Sequence, residues 1–191
     1  MYWPNLQQHF SQQLFPGQQD GEEIFLVMRQ HWITFALRFA VWLIFVVILV
    51  LGDWLIPTYA SFLLESPYVE IWSLVKSVYL MLLLLGLFIL WIIYYLNLQI
   101  ITNERVVDID QHSLLHHKIS ELYLSRVQDV TAEVRGFLPT FFNYGNVYIQ
   151  TAGETERFTF SNIPNPTSVS KLILDLYEKL PEEARQRGHA E

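Results

Sequence analysis

From Ser77 to Leu96 the chain reads SVYLMLLLLGLFILWIIYYL, an apolar run without a charged residue. About twenty helical residues at 1.5 Å each cover roughly 30 Å of hydrocarbon, so this segment predicts a membrane-spanning helix. An earlier run, Ile33 to Ile56, is free of charge only between Phe39 and Gly52. It reaches spanning length if Arg38 extends its stem toward headgroups at one interface while Asp53 meets water beside Trp54 at the other. Together the runs predict a helical hairpin over residues 32–96, with spans at 33–56 and 77–96. The connection is rich in Tyr, Trp and Pro, which suits a segment lying along the bilayer surface. Trp32, Trp72, Tyr94 and Tyr95 join Arg38, Asp53 and Trp54 as expected interfacial anchors. For Arg38 and Asp53 the competing reading is a functional charge pair within the membrane.

At Asn97 the pattern changes from continuous to alternating, the period of a strand buried on one face. Leu98 and Ile100 alternate with Asn97 and Gln99, and Val107 and Ile109 alternate with Asp108 and Asp110; TNER between them supplies a tight reversal. Similar alternation follows around Tyr123, from Val130 to Val134, around Tyr148 and around Thr159, broken by RG, NYGN and AGETE. Short strands at this spacing predict an antiparallel sandwich or partly open barrel. The series ends at Asn165 and Pro166, residues suited to a helix cap and first helical position. Val169, Leu172, Ile173, Leu176, Tyr177 and Leu180 then share one helical face. The domain is therefore expected to span residues 97–180, followed by a polar tail at 181–191. Residues 1–31 read as a flexible, Gln-rich lead-in with turn pairs at Pro16-Gly17 and Asp20-Gly21; its start lacks Lys and Arg, so no cleavable signal peptide is expected.

Composition agrees with a mixed membrane and soluble chain: 52% hydrophobic and 15% aromatic residues coexist with a mean hydropathy of only +0.24. A formal charge of −7 argues against nucleic acid as a partner, because phosphate binding needs a concentrated positive surface. Arg29, Arg38 and Arg105 lie on the terminal side of the spans, whereas Lys76 in the connection is offset by Glu65 and Glu70. Both termini are accordingly expected in the cytoplasm. Cysteine is absent, which excludes disulfides, thiolate nucleophiles and Cys-based zinc sites.

The order of blocks, GEEIFLVMRQHWITF, two spans, ITNERVVDID, LSRVQDVTAEV, YGNVYIQTAG, FTFSNIPNP and a terminal helix, resembles the membrane-anchored bacterial pleckstrin-homology (PH)-like domain proteins of the YdbS-like group. The resemblance covers most of the chain. It implies a bent antiparallel sheet of about seven strands with a C-terminal capping helix, and a bacterial cytoplasmic membrane as the location. It implies little about activity.

Candidate chemistry is sparse. His112, His116 and His117 stand beside Asp108 and Asp110, residue types that can ligate zinc. Successive strand residues point to opposite faces, however, so His116 and His117 cannot converge, and a solvated hairpin end is the favoured reading. A lipid headgroup or partner surface would draw on Arg105, Lys118, Arg126, Gln128 and Arg135. From Asn97 onward thirteen acidic residues outnumber nine basic ones, without a run of basic residues. Phe137, Leu138, Phe141, Phe142 and Tyr144 form an aromatic block expected to plug the core. No nucleophile elbow or phosphate loop is present, and no catalysis, metal or cofactor is expected. The expected role is an integral membrane protein whose cytoplasmic PH-like domain binds a membrane-protein partner or further copies of itself. Lipid sensing or handling is the alternative, and a metal-dependent enzyme built on the histidines comes last.

Overall fold

A computed structural model describes residues 18, 21–151, 157–183 and 185, apart from the side chain of His112. Most of the expected lead-in, the AGETE turn and the end of the polar tail lie outside the described residues. The chain divides into two compact units, one formed by residues up to His31 together with Leu96 onward, the other by Trp32–Tyr95.

The second unit is a helical hairpin of α1 (Trp32–Tyr59) and α2 (Tyr68–Leu96), joined through a 3₁₀ turn at Ser61–Leu64. Each helix is about 40 Å long and apolar enough to cross a membrane. α1 stops two residues after Pro57, which cannot continue the backbone ladder. α2 begins nine residues before the charge-free run at Ser77, because absence of charge marks lipid contact and not helix formation. Glu70, in the first turn of α2, suits the positive end of the helix dipole.

The helices are fastened by aromatic side chains. Trp42 Nε1 donates to the Leu83 carbonyl at 3.0 Å, and the Tyr79 hydroxyl donates to the Phe45 carbonyl at 2.9 Å. Phe35 meets Trp91 edge-on and Tyr94 at a tilt, so Tyr94 is a hairpin contact as well as a candidate anchor. Asp53 pairs with Lys76, which leaves Arg38 outside that pair. Trp32, Trp54 and Tyr95 are exposed, whereas Trp72 is half-buried.

The first unit has the PH-like fold, built from two antiparallel sheets and a C-terminal helix. Sheet A contains β1 (Ile24–Met28), β2 (Leu98–Thr102), β3 (Arg105–Ser113) and β4 (His116–Tyr123), in that order. A 3₁₀ turn at Leu124–Arg126 leads to sheet B, made of β5 (Val127–Glu133), β6 (Tyr144–Thr151) and β7 (Phe158–Pro164). Between β5 and β6 lies α3 (Phe137–Phe142), and the chain continues from β7 into α4 (Pro166–Lys179). The core between the sheets includes Ile101, Val106, Leu124, Val147, Phe160 and Ile163; α4 closes it with Val169, Ile173 and Leu176.

Strand β1 changes the reading of the lead-in. Residues 24–28 pair with β2, with Leu26 opposite Ile101 and Met28 opposite Gln99. The helical hairpin is thus inserted between the first two strands of the domain. Its sequence IFLVM alternates only weakly because β1 is an edge strand whose Phe25 and Val27 remain exposed, while Leu26 and Met28 join the core. At the other end, Pro166 occupies the first turn of α4 as expected, but the Asn165 side chain does not cap it. Asn143 and Asn165 are both left-handed, and Asn143 Nδ2 donates to Asn165 Oδ1 at 2.5 Å while Asn165 N–H donates to the Asn143 carbonyl at 2.9 Å. That bridge occupies the oxygen a cap would have used.

Candidate functional site

The most heavily built polar feature joins the segment before β1 to the β2–β3 turn. Arg105 donates through Nε and Nη2 to the two oxygens of Glu22, at 3.0 and 2.9 Å, and through Nη1 to Glu121 at 2.6 Å. The side chains of Arg105 and Glu22 are 5% and 0% exposed. The Thr102 hydroxyl donates to Glu22 at 2.7 Å and accepts from the Arg105 backbone N–H. One residue on, Asn103 and Glu23 exchange hydrogen bonds of 3.0 Å. Fork geometry lets guanidinium satisfy a carboxylate with two parallel bonds, and these carboxylates raise the Arg105 pKa further above its ordinary value, with the Glu22 hydrogen bond the largest cause. Arg105 was expected on a lipid or partner surface. Its burial against Glu22 removes it from that role.

Where the chain leaves the domain, His31 is the pivot. Its backbone N–H donates to the Asn162 carbonyl at 2.7 Å, its ring stacks on Tyr144 at 5.0 Å, and Phe142 lies at 6.4 Å. Burial holds the imidazole below its usual pKa. Asn162 is itself left-handed, and its N–H donates to Asn146 Oδ1 at 2.9 Å. Three asparagines therefore shape the end of sheet B at which His31 sits. Sequence spacing does not place His31 there, because its contacts are with residues more than a hundred positions away.

The β3–β4 hairpin carries the histidines. His116 is opposite Ser113 and His117 opposite Gln111, so they are successive residues of β4. Among the described residues, no group of three His, Asp or Glu side chains is placed to hold a metal ion. Lys118 is exposed on β4 opposite Asp110. Arg126 lies at the turn before β5, and Gln128 is exposed near the start of that strand. Arg135 is exposed just ahead of α3, beyond the other end of β5. The four remaining surface candidates are thus spread over two ends of the domain.

The aromatic block departs from expectation. Phe137 and Phe141, on α3, are 84% and 73% exposed and stack on one another at 6.4 Å, whereas Phe142 is half-buried and Tyr144, on β6, is buried. α3 has no fully buried residue, and Phe142, beside His31, is its most inward ring. The block is an exposed patch with an inward root, and not a core plug.

The profile of the family described as Bacterial PH domain, bPH_2, matches residues 32–177, well over half of the chain. The chain belongs to the bacterial PH domain family. Its first strand lies upstream of the matched segment. Among solved structures, this bacterial PH domain protein is similar to a DUF1696 family protein with a pleckstrin-homology domain from Shewanella loihica. The identity is 13% over 42% of this chain and 70% of the other, with a TM-score of 0.34. No curated protein matches the chain.

Proposed function

We propose that this protein is an integral component of a bacterial cytoplasmic membrane that holds its PH-like domain at the cytoplasmic face as a docking module, either for another membrane protein or for further copies of itself, without catalysis. The observation that carries the reading is the pairing of β1 with β2 across the inserted helical hairpin. Two helices whose surfaces are apolar nearly all round would be unfavourable in water and suit lipid. Because the helices leave and rejoin adjacent strands, the domain is tied to the membrane at two points and loses the freedom of a domain on a single stalk. Tethering raises its effective concentration toward other proteins in the same bilayer, so weak contacts become occupied. The basic residues on the terminal side of the spans favour a cytoplasmic domain.

Photo-crosslinking from Gln128, at the end of the domain away from the helical hairpin, tests the role in native membranes. Recurring adducts with one protein, or with the chain itself, are expected. Adducts with phospholipid alone would replace the docking role with lipid handling.

A further inference from the structure

Both connections to the helical hairpin meet the domain at one end of sheet A. Met28 faces Gln99 in the β1–β2 ladder; the chain departs at His31 and returns at Leu96. The β3–β4 hairpin projects from this same end. Its ladder continues beyond the Leu98–Ile109 pair through Asp110–Lys118, Gln111–His117 and Ser113–His116. At about 3.3 Å per residue its tip lies roughly 15 Å past Leu98. The tip consists of Leu114 and Leu115, and Leu115 is 98% exposed.

α3 arrives at this end through sheet B. The His31 ring stacks on Tyr144 and neighbours Phe142; Phe142 meets Phe141 edge-on at 4.9 Å, and Phe141 stacks with Phe137. A short relay of rings therefore links the exposed phenylalanines to His31. That residue is one peptide unit, about 3.8 Å between Cα atoms, from the start of α1. Two separate connections thus present large exposed apolar side chains at the end of the domain nearest its membrane attachments.

We propose that Leu114, Leu115, Phe137 and Phe141 insert into the bilayer surface and fix the orientation of the domain on lipid. This rests on the membrane-spanning reading of α1 and α2. Lipid is the favoured occupant because the chain itself carries this end to the bilayer, whose interfacial layer is roughly 5–7 Å deep on each side. Phenylalanine and leucine gain by leaving water there, and Lys118 and Arg135, set behind the two apolar tips, suit the anionic headgroups of a cytoplasmic leaflet. The helical hairpin limits how far the domain can travel; the two apolar tips limit how it can tilt.

The absence of cysteine makes a direct test possible. Single variants Ser113→Cys and Thr140→Cys place an environment-sensitive fluorophore beside each tip without removing its apolar residues. Gln128→Cys and Leu84→Cys serve as references on the domain and within α2. The full chain is reconstituted in vesicles of phosphatidylcholine and phosphatidylglycerol, with brominated acyl chains and iodide as lipid and aqueous quenchers. The labels at 113 and 140 are expected to emit at shorter wavelength than the label at 128, to be quenched by brominated lipid and to be shielded from iodide. Leu114→Ser with Leu115→Ser, or Phe137→Ser with Phe141→Ser, should abolish the lipid quenching at the corresponding tip. Iodide access at 113 and 140 equal to that at 128, with Leu84→Cys still quenched by lipid, would overturn the docking but leave the spans intact. Iodide access at 84 would remove both. Shielding from iodide without lipid quenching would overturn the docking in favour of contact between copies.

Discussion

Replacing Glu22 by alanine leaves the Arg105 guanidinium inside the domain without its bidentate partner. The Glu22 side chain is fully buried and that of Arg105 is 5% exposed, so water cannot take over both lost bonds. Removing one partner of a buried pair costs about 3–5 kcal/mol. Glu121 still holds Nη1 at 2.6 Å and is itself a third exposed, which places the loss near the lower end, about 3 kcal/mol. The Thr102 hydroxyl can turn to the Arg105 carbonyl at 2.9 Å, so loss of its bond to Glu22 adds little. Against the roughly 5–15 kcal/mol of an ordinary domain this is a large fraction.

The effect should be concentrated on β1, because Glu22 lies two residues before that strand and joins it to the β2–β3 turn. Hydrogen exchange on the full chain in lipid nanodiscs reads it directly. A loss of 3 kcal/mol raises the opening equilibrium by about two orders of magnitude, so the amides of β1 and β2 should exchange that much faster. The Glu22→Gln variant keeps an acceptor but not the charge, and should fall between. Replacing both partners, Glu22→Leu with Arg105→Met, should recover most of the loss, since no unpaired guanidinium remains and Glu121 can turn to water. If β1 in Glu22→Ala exchanges at the wild-type rate, the pair does not hold the strand and the reasoning fails.

Three further outcomes follow from single contacts. The His31 pKa is lowered in the folded domain, so the unfolded chain binds more protons between that lowered value and the ordinary value near 6.5; stability should therefore increase as pH rises through this window, and His31→Phe should flatten the slope in thermal melts. At Gly145 a Cβ would stand 2.3 Å from the Glu133 carbonyl oxygen, so Gly145→Ala should cost at least about 1–3 kcal/mol by denaturant titration, whereas Gly52→Ala, with open space around it, should be near neutral. Leu176 is buried on the core face of α4, and Leu176→Asp should unfold the domain at a cost of about 3–5 kcal/mol, visible as loss of cooperative melting.

Much of the fold was legible because its signals are local. A charge-free run marks a candidate span without reference to anything distant, and alternation from Leu98 to Ile109 marks a hairpin. The apolar face from Val169 to Leu176 marked α4 in the same way. β1 was hidden for the opposite reason: its partners begin seventy residues later, and its exposed Phe25 and Val27 weaken the inside-outside contrast. Glu22 and Arg105 were separated in the same manner, so each looked like an ordinary surface charge. The aromatic block around Phe141 failed differently. Composition marks such a block as apolar, but which ring faces inward depends on the direction of a six-residue helix and on His31, from the far side of the inserted hairpin.

A strand before the helical hairpin pairs with a strand after it, and a disulfide tests that pairing most directly. In the cysteine-free chain, Val27→Cys combined with Ile100→Cys places thiols on directly opposite residues of the β1–β2 ladder. Val27→Cys combined with Ile109→Cys places them two strands apart. Mild oxidation in native membranes should close the first pair rapidly and leave the second reduced. Equal yields for the two pairs, or none for the first while the domain remains folded, would contradict the insertion of the helical hairpin between β1 and β2.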